Sequence, residues 1–149
     1  MELRDTSERK TATIRLTTKG SELPMVMGKT YGEIMHFFET HQITPAGPPF
    51  SLYHNMDMDN LDVEIGFPVD GEIPEDDRVK LSVLPAGRAA VEIHRGPYDT
   101  LEETYNRLIA FLQEQGLEMG SYMYEFYVND PGEVPPEEIE TEVYTPVKE

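Results

Sequence analysis

The chain repeats itself, and that constrains its fold more than anything else in it. Hydrophobic periods run strand, helix, strand, strand, and then the same order again. Placing Thr30 on Thr104 also places Tyr31 on Tyr105, Phe37 on Phe111, Ile43 on Leu117 and Tyr53 on Tyr127, without a gap. A slightly longer loop in the second half then brings Phe67-Pro68-Val69 onto Thr145-Pro146-Val147. Each repeat holds one amphipathic helix and a small sheet that cannot bury its own face alone. The expectation is an α+β fold, one domain over residues 1–149. It comprises two pseudo-symmetric βαββ repeats, repeat one at about 10–69 and repeat two at about 79–147.

The individual elements follow from period and punctuation. Residues 11–18 alternate, with Ala12, Ile14 and Leu16 on one face, which predicts a half-buried strand. Over 22–42 the period becomes helical, with Leu23, Val26, Met27, Tyr31, Ile34, Met35 and Phe38 in a stripe and Pro24 in the first turn. Strands are predicted at 50–54, 62–68, 79–84 (Val79, Leu81 and Val83 inward) and 88–95. A second helix is predicted with Asp99 as N-cap, Glu102 as capping-box partner and Gly116 just past its end. Strands at 123–129 and 139–147, joined by NDPGEVPPEE, close the chain.

Charge narrows the partners. With 29 acidic and 12 basic residues the net charge is −17, which repels phosphate backbones and anionic membrane. No nucleic acid and no membrane partner is therefore expected. The charged N-terminus has no apolar core of a secretory signal, and a cytoplasmic location is expected. Having no cysteine excludes disulfides, thiol nucleophiles and Cys-bound metals. Other signals fail on spacing. Gly28-Lys29-Thr30 ends like a phosphate loop but lacks its first glycine. Asn55-Met-Asp57-Met-Asp59 begins like a calcium loop but lacks its central glycine and closing glutamate. His36 and His41 do not share a helix face, and His54 and His94 are isolated in sequence. No metal and no cofactor is expected.

The segments LPAGRAAVEIHRGPYDTLEETYNRLIAFLQEQGLEM and YEFYVNDPGEVPPEEIETEVYTPVK resemble the GyrI-like small-molecule-binding family. That family comprises the effector-binding modules of multidrug-sensing AraC- and MerR-type regulators, together with free-standing proteins. The resemblance is strongest from Leu84 onward; in the first repeat PAGPPFSLYHN matches, while TTKGSELP replaces the HTGPY-like turn. It implies two SHS2-like repeats, an antiparallel sheet with two main helices, and a central ligand cleft. It further implies that lipophilic, often cationic, aromatic compounds bind against a carboxylate among aromatic rings. Carried onto this chain, the carboxylate is Glu125, with Glu142, Tyr144 and Tyr98 at further pocket positions.

Strand alternation puts Met123, Glu125 and Tyr127 on one face, and Tyr124, Phe126 and Val128 on the other. Tyr31, Tyr105 and Tyr53 are further candidates to line the cleft, because a buried tyrosine needs a partner for its hydroxyl. Ser51 and Gly66 stand where the second repeat has Glu125 and Tyr144, so the repeats are chemically unequal. The leading expectation is a stand-alone module binding hydrophobic or cationic small molecules, a sensor, sequestrant or detoxifying protein without a DNA-binding segment. It is expected to be a monomer or weak homodimer. The alternatives are a hydrolase of electrophilic small molecules using Glu125 with Tyr127 or Tyr144, and a gyrase-inhibitor-like protein-interaction module.

Overall fold

The structure, a computed structural model, describes residues 1–129 and 132–148. Asp130 and Pro131 of the acidic connection, and Glu149, lie outside the described residues. The strands are β1 (Glu2–Thr6), β2 (Arg9–Thr18), β3 (Phe50–Tyr53), β4 (Leu61–Pro68), β5 (Lys80–Leu84), β6 (Gly87–Arg95), β7 (Met123–Tyr127) and β8 (Glu140–Pro146). The helices are α1 (Leu23–His41) and α2 (Leu101–Glu114). The fold is α+β, and every pairing within the two units below is antiparallel. No helix among the described residues is long and apolar enough to cross a membrane.

The chain forms two compact units, Glu8–Pro85, and Met1–Ser7 with Ala86–Glu149. In the first, β4 pairs with both β3 and β2, and β5 closes the other side of β2. In the second, β8 pairs with both β7 and β6, and β1 closes the other side of β6. Two strand assignments differ from the sequence reading. The charged N-terminal segment, assigned no element there, is β1. The segment 79–84, assigned to the start of the second repeat, completes the first repeat's sheet. Both are edge strands, where short polar sequences are tolerated because one side of the backbone meets no partner. That position also corrects the inward assignment of Leu81 and Val83, which are 39% and 45% exposed, while Val79 is buried.

The ladders of the two repeats superpose residue for residue. Ala12 faces Phe67 as Ala90 faces Thr145, Ser51 faces Ile65 as Glu125 faces Val143, and Arg9 faces Leu84 as Gly87 faces Thr6. In the first unit, Ile34, Phe37 and Phe38 of α1 pack on Ala12, Ile14, Val63 and Ile65. In the second, Leu108 and Leu112 of α2 pack on Ala90 and Val143. Each such fully buried Leu, Ile or Phe contributes about 1.5–3 kcal/mol.

Helix ends show the same correspondence, with one defect. The Ile43 amide donates to the Phe38 carbonyl at 2.8 Å, and the Leu117 amide to that of Leu112 at 2.9 Å. Gly116 closes α2 with φ +71°, as its position in the sequence predicts, whereas Gln42 closes α1 at φ +57°. A side chain in the left-handed region costs on the order of 1 kcal/mol that glycine does not incur. Gln42→Gly is therefore expected to raise stability by about that amount in urea melts; an unchanged midpoint would mean that Gln42 carries no strain. At the start of α2 the predicted Asp99 cap is absent. A single 3-10 turn, Tyr98–Thr100, precedes the helix, and Thr100 at the N-cap makes no capping bond because its hydroxyl is engaged elsewhere.

Candidate functional site

The α2-facing side of the second sheet carries polar groups where the first sheet is almost wholly apolar. The shared ladder makes Glu92, His94, Glu125 and Thr141 the counterparts of Ile14, Leu16, Ser51 and Val63. Glu125 is only 4% exposed. Its Oε1 accepts a hydrogen bond from the Tyr127 hydroxyl at 2.9 Å, and its Oε2 accepts one from the Tyr105 hydroxyl of α2. Burial pushes the Glu125 carboxyl above the usual carboxylate range, and the two phenol donors and His94 offset that only in part. The Tyr98 ring packs edge-on against Tyr127, centroids 5.6 Å apart, and is itself 39% exposed. Tyr98, Tyr105, Tyr127 and Glu125 therefore form one cluster running from solvent to a buried acid.

His94, isolated in the sequence, supports this cluster from β6. Its Nδ1 meets Thr104 Oγ1 at 2.6 Å, and its Nε2 meets Pro97 O and Thr100 Oγ1 at 3.0 Å each. Arg107 Nη2 donates to Thr104 Oγ1 at 3.0 Å. Thr100 also donates to the Pro97 carbonyl at 2.8 Å. These contacts tie the turn that carries Tyr98 to both α2 and the sheet. Sequence reading missed His94, Thr104, Thr100, Arg107, Glu92 and Thr141. Carrying the repeat alignment through the strand interiors would have found His94, Glu92 and Thr141, since each replaces an aliphatic residue.

The other candidates fall elsewhere. The β7–β8 register sets Tyr144 opposite Tyr124 and Glu142 opposite Phe126, on the sheet face away from Glu125. Tyr144 thus cannot share a catalytic constellation with Glu125, because adjacent residues on a strand point to opposite faces. There the Tyr144 ring stacks on Tyr124 at 4.7 Å, and its hydroxyl accepts from Arg4 at 3.0 Å and donates to Glu142 at 3.3 Å. Tyr31 belongs to the first unit, donating to the Phe50 carbonyl at 2.7 Å and packing on Phe67. Tyr53 packs against the same first-unit core.

The first unit also has a buried acid, Glu64. It accepts from Thr13 at 3.0 Å and lies 2.7 Å from His54 Nε2, with no phenol among these contacts. A surface hollow near Arg9, Lys10, Pro68 and Asp70 contains none of the predicted site residues. Asn55 and Asp57, the start of the calcium-like segment, spend side-chain oxygens on the backbone of their own hairpin. Among the described residues no group of three or more metal-ligating side chains converges.

Comparison with known proteins places the fold. No curated protein matches the chain in sequence. Among solved structures, the C-terminal domain of EcmrR superposes with a TM-score of 0.86 at 23% identity, covering 99% of this chain and 96% of that one. The chain spans 57% of EcmrR as solved in its complex with DNA, with a TM-score of 0.85 at 24% identity over 99% of this chain. SAV2435, solved bound to tetraphenylphosphonium, superposes with a TM-score of 0.71 at 14% identity, covering 99% of this chain and 93% of that one. At these identities the likeness establishes the fold. The family model of the GyrI-like small molecule binding domain matches residues 1–148, and the chain belongs to that family.

Proposed function

We propose that this domain binds lipophilic aromatic cations, with Glu125 as their counter-charge, and acts as a sensor, sequestrant or detoxifying protein. The observation that carries the reading is a buried carboxyl, 4% exposed, lodged between two phenol hydroxyls with a partly exposed tyrosine above them. Burying an acid without a cation is costly, and the first repeat builds the same strand with Ser51. The fold therefore does not need the acid; a ligand does. Tyrosine faces attract a soft cation by their quadrupole, and that attraction strengthens as water is excluded. The net charge of −17 enriches cations near the surface, an effect that fades with salt. Tetraphenylphosphonium, the ligand in the SAV2435 structure, is the natural probe. Titration calorimetry should detect its binding to the wild type. Glu125→Gln, which keeps shape but removes charge, should weaken it by about 10-fold or more, the loss of one desolvated charge interaction. Equal affinity in the two proteins would remove Glu125 from the reading.

A further inference from the structure

Thr141 has no part in the cluster described so far, yet its position is hard to account for by packing. It is fully buried, and among the described residues its Oγ1 has no hydrogen-bond partner. The ladder sets it between His94 on β6 and Tyr127 on β7, on the same sheet face as both. Neither neighbour's principal contacts turn toward it: the ring nitrogens of His94 engage Thr104, Thr100 and Pro97, and the Tyr127 hydroxyl donates to Glu125. Glu92 Oε2, the other buried oxygen without a hydrogen bond, is explained by the Arg107 guanidinium 3.6 Å away. Thr141 has no such explanation.

The first repeat supplies an internal control. Val63 occupies the equivalent place, also fully buried, in the same ladder. Valine and threonine have nearly the same shape, so the fold accepts the apolar residue there, and the hydroxyl adds only an unmet polar group. The second repeat carries that hydroxyl together with Glu125, on adjacent strands of one face.

We infer that Thr141 is a second polar contact of the Glu125 site: its hydroxyl donates to a hydrogen-bond acceptor on the bound cation, so the site selects cations that carry a carbonyl. This inference rests on the cation-binding reading. Glu125 and Thr141 are diagonal neighbours, and such pairs lie about 7–8 Å apart. A probe for both groups therefore needs its acceptor several ångströms from the cationic centre, as a para carbonyl stands on an aryl phosphonium.

The test compares tetraphenylphosphonium with (4-acetylphenyl)triphenylphosphonium on wild type, Thr141→Val and Thr141→Ser. Wild type should prefer the acetyl compound by about five- to tenfold, the worth of one hydrogen bond. Thr141→Val should bind both equally and melt no lower than wild type without ligand. Thr141→Ser, which restores the donor, should restore the preference. If both compounds bind but wild type shows no preference, or the valine variant retains it, Thr141 is not a contact and the Glu125 reading stands. If wild type binds neither compound, the Glu125 reading falls and the inference falls with it.

Discussion

Affinity for tetraphenylphosphonium should rise about tenfold per pH unit until the pH passes the raised pKa of Glu125, and then level off. The cause lies in the burial of the acid. Burial holds the Glu125 carboxyl protonated above the usual carboxylate range, and the hydroxyls of Tyr105 and Tyr127 and the facing His94 offset this only in part. A permanent cation binds the ionised form, so at pH values below that pKa each binding event releases one proton. One proton released per ligand gives a slope of one in log affinity against pH. Tetraphenylphosphonium has no titrating group, so the slope belongs to the protein. Calorimetry in two buffers of different ionisation enthalpy measures the released proton directly. Glu125→Gln should show weak binding without the slope. A slope of equal size in that variant would assign the titration to another group and take away the acid's role.

The repeat was legible in the sequence because its markers are large. Tyr31 with Tyr105, and Phe37 with Phe111, keep their places on the helices, and the pairing ladders follow the same correspondence. The edge strands were not legible. β1 (Glu2–Thr6) reads as charge, and β5 (Lys80–Leu84) reads as the start of the repeat that follows it, because nothing local says which sheet an edge strand joins. Glu125, Tyr127, Tyr105 and Tyr98 were named from strand alternation, the need of buried tyrosines for partners, and the family resemblance, and the fold brings them into contact. Tyr144 and Glu142 followed the same resemblance but face the other way, because the face of a residue is set by register, which motif matching does not read. His94 was passed over because its partners, Thr104, Thr100 and Pro97, become neighbours only when the turn before α2 folds back.

Converting the site to its first-repeat counterpart should cost function and raise stability. Glu125→Ser installs the residue that stands at the equivalent position, Ser51, beside a tyrosine equivalent to Tyr53. Tyr105 would lose its carboxylate, but Tyr31 meets the same need by donating to the Phe50 carbonyl at 2.7 Å, and Tyr124 offers the corresponding carbonyl. The variant thus has a precedent for the Tyr105 hydroxyl. A carboxyl whose folded pKa is raised contributes stability that is fully present below its unfolded pKa of about 4.3 and is lost as pH rises through the folded value. Wild type should therefore weaken progressively from about pH 4 upward by this route, and the serine variant should not. At pH 8 Glu125→Ser should be more stable by about 0.5–2 kcal/mol, the usual range for a stabilising single change. The gap should close toward pH 4. Saturating tetraphenylphosphonium should raise the melting temperature of wild type and leave the variant where it is. A variant less stable than wild type at pH 8 would mean that Glu125 holds the fold together, and that its burial needs no ligand to explain it.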